Sequence, residues 1–150
     1  MINEDVFKLA SNTTNVGLKN RYSHKISLKN TSCGDKITIE IIADTKKIHS
    51  MKYETESCLY CEASASLLSQ KIKNMNLKDL KKDLIIIKEI SNQKNITFPK
   101  RFSDFKKLLN SDNLNRLKCI FLPIDAVLKA LKLWKKYSLF YLCSVFFQKL

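Results

Sequence analysis

Glycine, proline and arginine are scarce in this 150-residue chain, which holds two glycines, two prolines and one tryptophan. With so little Gly and Pro, 45% hydrophobic and 27% charged residues argue against a disordered or low-complexity chain and predict one compact domain over residues 1–150. Only three of the 27 basic residues are Arg. Because guanidinium groups are the preferred ligands of phosphates and base edges, the net charge of +13 is interpreted as a solvated lysine surface.

A long hydrophobic run is also missing, and a signal peptide is not expected. Glu4 and Asp5 lie where a signal peptide would be basic, so we expect a cytoplasmic protein in a reducing compartment. Residues 137–148 form an uncharged stretch of 12 residues, shorter than the roughly 20 that a membrane-spanning helix needs. We expect residues 134–150 to be an apolar helical extension that packs on the core or mediates homo-oligomer formation, with a basic membrane contact as the alternative.

Hydrophobic residues alternate with polar ones between residues 23 and 53, where turn signals occupy positions 30–34 and 44–46. This period of two predicts three short antiparallel strands, carrying Ile26 and Leu28, then isoleucines at 37, 39 and 41, then Ile48.

After Glu62 the spacing of hydrophobic residues becomes helical. It predicts helices over residues 63–72, 77–90 and 102–109 and a break at residues 110–115. It also predicts a last helix with Pro123 in its first turn and Cys119 in the turn that precedes it. The predicted fold class is therefore α+β, with a three-stranded antiparallel sheet and helices packed on one of its faces.

Five cysteines are present, an odd number. In a reducing compartment they are more typical of metal ligands or reactive thiols than of disulfides. They lie at positions 33, 58, 61, 119 and 143.

One of the two glycines, Gly34, separates Cys33 from Asp35 in a predicted turn between strands. Because glycine tolerates a positive φ, such a turn can direct the thiol and the carboxylate toward one ion. A thiolate with a carboxylate suits zinc or iron, and the oxygen bond is the more exchangeable of the two. Taken alone, the motif is better explained by a hairpin turn with a buried cysteine.

The Cys58-x-x-Cys61 pair lies just before a predicted helix. Thiols at a helix N-terminus face the positive end of the helix dipole, which favours the thiolate. A zinc knuckle would need a second such pair, and the histidines His24 and His49 are isolated in predicted strands.

The order Cys33-Gly34-Asp35, then Cys58 followed by the Ala-Ser-Ala-Ser segment at residues 63–66, then Arg116-x-x-Cys119 resembles the iron-sulfur cluster assembly scaffold family known as NifU-like, IscU or SufU. The resemblance extends from about residue 6 to residue 131. Cys58 and Cys119 are 61 residues apart, which is similar to the SufU branch. The chain also has Lys118 where the IscU branch has a histidine.

This resemblance implies a SufE/NifU-like fold and a surface site for iron or zinc built from Cys33, Asp35, Cys58 and Cys119. It implies a scaffold rather than an enzyme, with Cys119 as acceptor of persulfide sulfur from a SufS-like cysteine desulfurase and a transient [2Fe-2S] cluster as product. Recipients would be apoproteins or a SufBCD-type complex. Arg116 would pair with the site carboxylate or with a liberated thiolate.

Two cysteines depart from the family pattern. Cys61 stands where the family usually has a small residue, and it is interpreted as a buried packing residue, with a spare metal ligand or a resolving thiol as the alternatives. Cys143 has no counterpart and is interpreted as part of the packing of the C-terminal segment.

Two other functional classes have partial support in the sequence. A zinc-stabilised nucleic-acid-binding module is suggested by residues 76–150, which carry 16 basic and 6 acidic residues, but few aromatic residues separate these lysines up to residue 132. A hydrolase with Cys58 as nucleophile would need a histidine base, and none lies in the cysteine segments. The scaffold interpretation is preferred, without a nucleic-acid partner.

Overall fold

A computed structural model of the chain describes residues 3–90 and 97–133. The predicted extension over residues 134–150, including Cys143, lies outside the described residues. In chain order the elements are helix α1 (Glu4–Ala10), strands β1 (His24–Lys29), β2 (Lys36–Ala43) and β3 (Ile48–Glu56), helices α2 (Leu59–Lys71) and α3 (Leu77–Ile90), two 3-10 helices (Lys100–Lys107 and Ser111–Arg116), and helix α4 (Leu117–Ala130).

The three strands form one antiparallel sheet in the order β1-β2-β3, which confirms the predicted meander. Ile37 pairs with Leu28 and Ile39 with Ile26 across β1 and β2. Ile37, Ile39 and Ile41 are fully buried on one face of β2. Since alternate residues of a strand point to opposite faces, this row of isoleucines marks the face that the helices cover. The α+β class with helices on one face is therefore confirmed.

Helix α2 lies at the centre of the core. Every residue from Ala63 to Ser69 is buried, because small Ala and Ser side chains let α1 and α4 approach on either side. The Ser64 hydroxyl donates a hydrogen bond of 2.6 Å to the backbone carbonyl of Ile120 in α4. This bond fixes α2 against the first turns of α4, the two elements that carry Cys58 and Cys119.

Helix α3 has the bounds predicted from its spacing, residues 77–90. Leu80, Leu84 and Ile87 are fully buried, and they recur at intervals of three and four residues on one side of the helix.

The boundaries of the other helices differ from the predictions. Helix α2 begins four residues earlier than expected, with Cys58 as its N-cap residue. The segment predicted as a helix over residues 102–109 is a 3-10 helix with a kink at Phe102, and the predicted break is a second 3-10 helix capped by the side chain of Asn110. A 3-10 helix has poorer hydrogen-bond geometry than an α-helix. Burial of Phe102, Phe105 and Leu108 in the core stabilises the first of these segments in that conformation.

The prediction that Pro123 lies in the first turn of the last helix, with Cys119 in the preceding turn, was wrong. Helix α4 begins at Leu117, so Cys119 lies inside its first turn and Pro123 lies in the second turn. Proline has no N–H to donate to the carbonyl four residues back, here that of Cys119. The burial of Cys119, Ile120 and Leu122 extends the helix past this lost bond.

The segment between α1 and β1, which the sequence left unassigned, follows the outer edge of β3. The Gly17 N–H donates to the Tyr53 carbonyl at 2.9 Å, and the Tyr53 N–H donates to the Asn15 carbonyl at 3.1 Å. Gly17 has a φ of +100°, a conformation that side chains disfavour. The edge of β3 is thus covered by the chain itself.

Within the described residues, every helix is too short or too polar to serve as a membrane span.

Candidate metal and sulfur site

The site begins at the turn between β1 and β2. The Asn30 N–H donates to the Asp35 carbonyl at 2.7 Å, and the Gly34 N–H donates to the Asn30 carbonyl at 2.8 Å. Gly34 has a φ of +80°, the positive value that the sequence predicted. This closed turn holds Cys33 exposed at the surface and Asp35 buried, with 5% of its surface exposed.

Cys33, Asp35 and Cys119 are brought together by the fold. One ligand atom from each lies within 4.8 Å of the other two. The Sγ atoms of Cys33 and Cys119 are 3.7 Å apart, although 86 residues separate them in the chain. Two thiols and a carboxylate at this distance can become three ligands of one tetrahedral metal ion.

The Asp35 carboxylate is oriented by the protein. The Cys58 backbone N–H donates to Oδ1 at 3.0 Å, whereas the buried Oδ2 has no hydrogen-bond partner. Burial by itself raises the pKa of Asp35, but the Cys58 N–H and the nearby thiols outweigh this and hold that pKa below its usual value. An ionised, buried carboxylate with an unpartnered oxygen is stabilised by a cation, and that oxygen is available as a metal ligand.

The Cys119 thiol has the opposite electrostatic situation. It is 4% exposed, and burial, followed by the neighbouring Asp35 carboxylate, raises its pKa well above the usual value for cysteine. Replacement of that proton by a metal ion would stabilise the thiolate form of Cys119.

Cys58 lies at the margin of the group. As the N-cap residue of α2 it is half-buried, and its sulfur is not among the ligand atoms that all lie within 4.8 Å. Its thiol nevertheless lies close enough to affect the pKa of both Asp35 and Cys119. A change in the Cys58 side-chain conformation is therefore the adjustment that a fourth ligand would require.

Cys61 and Cys58 face different surroundings, although only two residues separate them. Cys61 has no exposed surface and lies in the hydrophobic core, and burial raises the pKa of its thiol to about 12. The structure places it where the packing interpretation expects it, outside the group that could hold a metal.

The Arg116 side chain is exposed, and its guanidinium lies over the ring of Tyr60 at 5.6 Å from the centroid. Among the described residues no ion pair joins it to Asp35. Cation–π packing of this kind fixes the cation beside the N-terminus of α2. Tyr60 was not singled out from the sequence, and its position between Cys58 and Cys61 was the available signal.

A groove of about 760 Å³ adjoins the site, and both Cys33 and Cys119 line it. Its other side chains include the cations Lys88, Arg116 and Lys118. The Lys118 ammonium donates to the Ser32 hydroxyl at 3.2 Å, which links the first turn of α4 to the β1–β2 turn. The Lys88 ammonium pairs with Asp125 on α4. The groove therefore combines two thiols with positive charge.

Residues 1–138 match the family described as the NifU-like N terminal domain. This chain belongs to that family. This match confirms the resemblance seen in the sequence. The NifU-like family is a family of iron-sulfur cluster scaffolds. No protein among those of curated function matches the sequence.

Solved structures share the fold of this NifU-like domain. A NifU-like protein (N-terminal) from Brucella abortus is 19% identical with a TM-score of 0.77, over 87% of this chain and 91% of that chain. A protein described as an iron-sulfur cluster assembly scaffold for the SUF system, from Fervidobacterium islandicum AW-1, is 20% identical with a TM-score of 0.78, over 87% and 96%. A third, described as a hypothetical protein, is 21% identical with a TM-score of 0.75, over 85% and 94%.

Proposed function

We propose that this NifU-like domain is an iron-sulfur cluster scaffold and sulfur acceptor that binds iron or zinc through Cys33, Asp35, Cys58 and Cys119. The observation that carries the proposal is the meeting of two thiols and a buried carboxylate within 4.8 Å, with one carboxylate oxygen unpartnered. The protein would act with a SufS-like cysteine desulfurase and would not itself be a conventional enzyme.

The cargo would be a [2Fe-2S] cluster, assembled on the three thiolates and Asp35 and then passed to apoproteins or to a SufBCD-type complex. Iron-sulfur clusters are held by thiolates in most proteins. Replacing one thiolate by a carboxylate gives a weaker, more exchangeable bond, which favours release. If zinc is bound, the same four residues would complete a tetrahedral set, and sulfur acceptance would be the main role.

Sulfur would enter at the Cys33 and Cys119 pair. In persulfide transfer the acceptor thiolate attacks the outer sulfur of the donor persulfide, a new S–S bond forms, and the donor thiolate leaves. Cys33 is the exposed member, so a donor would meet it first. The outer sulfur would then move to Cys119, whose Sγ is 3.7 Å away and which the sequence predicted as the acceptor.

The cations beside the site would assist this step. Arg116 and Lys118 lie on the groove that both thiols line, and positive charge near an acceptor thiol stabilises the thiolate form. Arg116 remains the predicted charge partner of a thiolate freed from the metal, since its side chain lines the same groove as Cys33 and Cys119.

The decisive experiment uses anaerobically purified protein. Zinc and iron are measured first. Ferrous iron, cysteine and a desulfurase are then added while the visible absorbance of a cluster is recorded and protein-bound sulfane sulfur is measured.

Cys33→Ala, Cys58→Ala and Cys119→Ala should each lower metal content and sulfur or cluster formation. Cys61→Ala is the matched control, because Cys61 is buried outside the group, and it should behave like the wild type. Equal behaviour of all four variants would show the site assignment to be wrong. Salt-sensitive DNA binding that none of them alters would favour the nucleic-acid alternative.

A further inference from the structure

We propose that Cys33 and Cys119 form a sulfide-releasing pair, in which Cys33 displaces hydrosulfide from a persulfide on Cys119 and the two residues become a disulfide. The observation is the 3.7 Å separation of their Sγ atoms, which is close to van der Waals contact. The inference rests on the proposed function, since it begins with sulfane sulfur on Cys119. It adds a way for the protein to make sulfide without a separate electron donor at that step.

The step balances in atoms and electrons. The Cys33 thiolate attacks the Cys119 Sγ, the bond between that Sγ and the terminal sulfur breaks, and the terminal sulfur leaves with one proton as HS⁻. The sulfane sulfur gains two electrons and the two cysteine sulfurs lose two. A dithiol or small thiol reductant then returns the disulfide to two thiols by exchange.

Attack on the outer sulfur would only return the sulfur to Cys33 and leave a thiolate on Cys119. Because Cys119 is 4% exposed, negative charge left on its sulfur is poorly solvated. Attack on the inner sulfur instead places the charge on a small anion that can leave through the groove lined by both cysteines. Transfer of the outer sulfur between Cys33 and Cys119 is reversible. Release of sulfide removes a product from the site and so draws the reaction forward.

The structure allows the two sulfurs to approach. A disulfide needs about 2 Å between them. Cys33 is exposed at the surface, in the turn between β1 and β2. Cys119 lies in α4, which Ser64 and the core hold in place. The movement is therefore assigned to the turn that carries Cys33.

The other cysteines of the described chain are less suited to this step. Cys58 lies outside the group whose ligand atoms are all within 4.8 Å, and Cys61 is enclosed in the core. A metal ion on Cys33 and Cys119 would occupy the lone pairs that the reaction needs. Metal binding and disulfide formation should therefore exclude each other.

The test loads the metal-free protein with inorganic polysulfide under anaerobic conditions, without a desulfurase, and removes excess reagent by rapid desalting. Sulfide released afterwards is measured with time, and cysteine pairing is read by mass spectrometry of non-reduced peptides. We expect about one sulfide per loaded persulfide, a disulfide between Cys33 and Cys119, and a rate independent of protein concentration.

Cys33→Ser should keep its persulfide on Cys119 at least about tenfold longer, because the attacking thiolate is missing. Cys61→Ala serves as the control, because Cys61 is buried outside the group, and it should release sulfide at the wild-type rate. Cys33 is exposed, so this variant should fold, and circular dichroism verifies that. Zinc added before loading should block the disulfide, because it would occupy the sulfurs of both Cys33 and Cys119.

Release from Cys33→Ser at the wild-type rate, or a disulfide between other cysteines, would overturn the inference. Its failure is distinguishable from failure of the proposed function. If the chemically loaded protein releases sulfide as described but a desulfurase never loads it, only the proposed function is wrong. If a desulfurase loads Cys119 and the persulfide persists, only the release step is wrong.

Discussion

Replacing Gly34 by Ala perturbs the β1–β2 turn without introducing a clash. A Cβ built on Gly34 meets no atom within 4 Å, so the whole effect comes from the backbone, whose φ is +80°. A residue with a side chain loses roughly 1–2 kcal/mol in the left-handed region. The unfolded alanine chain is less flexible, which offsets about 0.4–1 kcal/mol of that loss. The net loss of stability is about 1 kcal/mol.

Urea unfolding measures this loss. With a slope of about 2 kcal/mol per molar urea, the midpoint should fall by about 0.5 M, and the melting temperature should fall by about 2–4 °C. The same variant should bind zinc about tenfold more weakly in competition with a chromophoric chelator, because relaxation of the turn displaces both Cys33 and Asp35.

Gly17→Ala is the matched control. Gly17 also has a positive φ, +100°, and also has no atom within 4 Å of an added Cβ, but it lies beside β3. It should lose at least as much stability while zinc affinity stays within about twofold of the wild type, since no site residue is attached to it. Equal loss of affinity in both variants, or an unchanged Gly34→Ala protein, would refute the argument that this turn positions the ligands.

Three further predictions concern stability. Ser64→Ala should cost about 1–3 kcal/mol in urea unfolding, since it leaves the Ile120 carbonyl without its partner from α2, and a loss below about 0.3 kcal/mol would contradict that role. Leu84→Ala should cost about 2–5 kcal/mol by the same assay because its side chain is fully buried, and a smaller loss would place α3 outside the core. Hydrogen bonds from the Lys47 and Lys46 backbone N–H groups, and then from His49, lower the pKa of Asp44 to about 2. Asp44 should therefore contribute stability above about pH 4 that disappears as the pH falls through about 2. Asp44→Asn should remove this part of the pH dependence of the urea midpoint, and an unchanged pH profile would contradict the prediction.

The sheet and α3 were predictable because each has one buried and one exposed side. Alternation in β2 and the spacing of Leu80, Leu84 and Ile87 in α3 state the period of the element directly. Helix α2 has no such contrast, since Ala63–Ser69 are all buried, and its start at Leu59 could not be read from periodicity.

The start of α4 was mistaken because proline is a strong local signal for a first turn. The contacts that override it come from distant segments, such as the hydrogen bond from Ser64 to Ile120. The candidate site likewise combines features visible in a local stretch of sequence with features that depend on contacts between distant segments. The Cys33-Gly34-Asp35 turn was evident locally and Cys119 through the family resemblance, whereas the stacking of Arg116 on Tyr60 depends on how α2 and α4 meet.

The separation of Cys33 and Cys119 by 86 positions in the chain also has a consequence for the heat resistance of the protein. A covalent link across a loop of that length removes much of the freedom of the unfolded chain, an effect of about 4–5 kcal/mol in the chain-entropy model. An oxidised form would therefore withstand heating and proteolysis better than the reduced form that can bind metal. A sample enriched by heat treatment would hold the inactive form in excess, and reduction before any measurement of metal binding would restore the working protein.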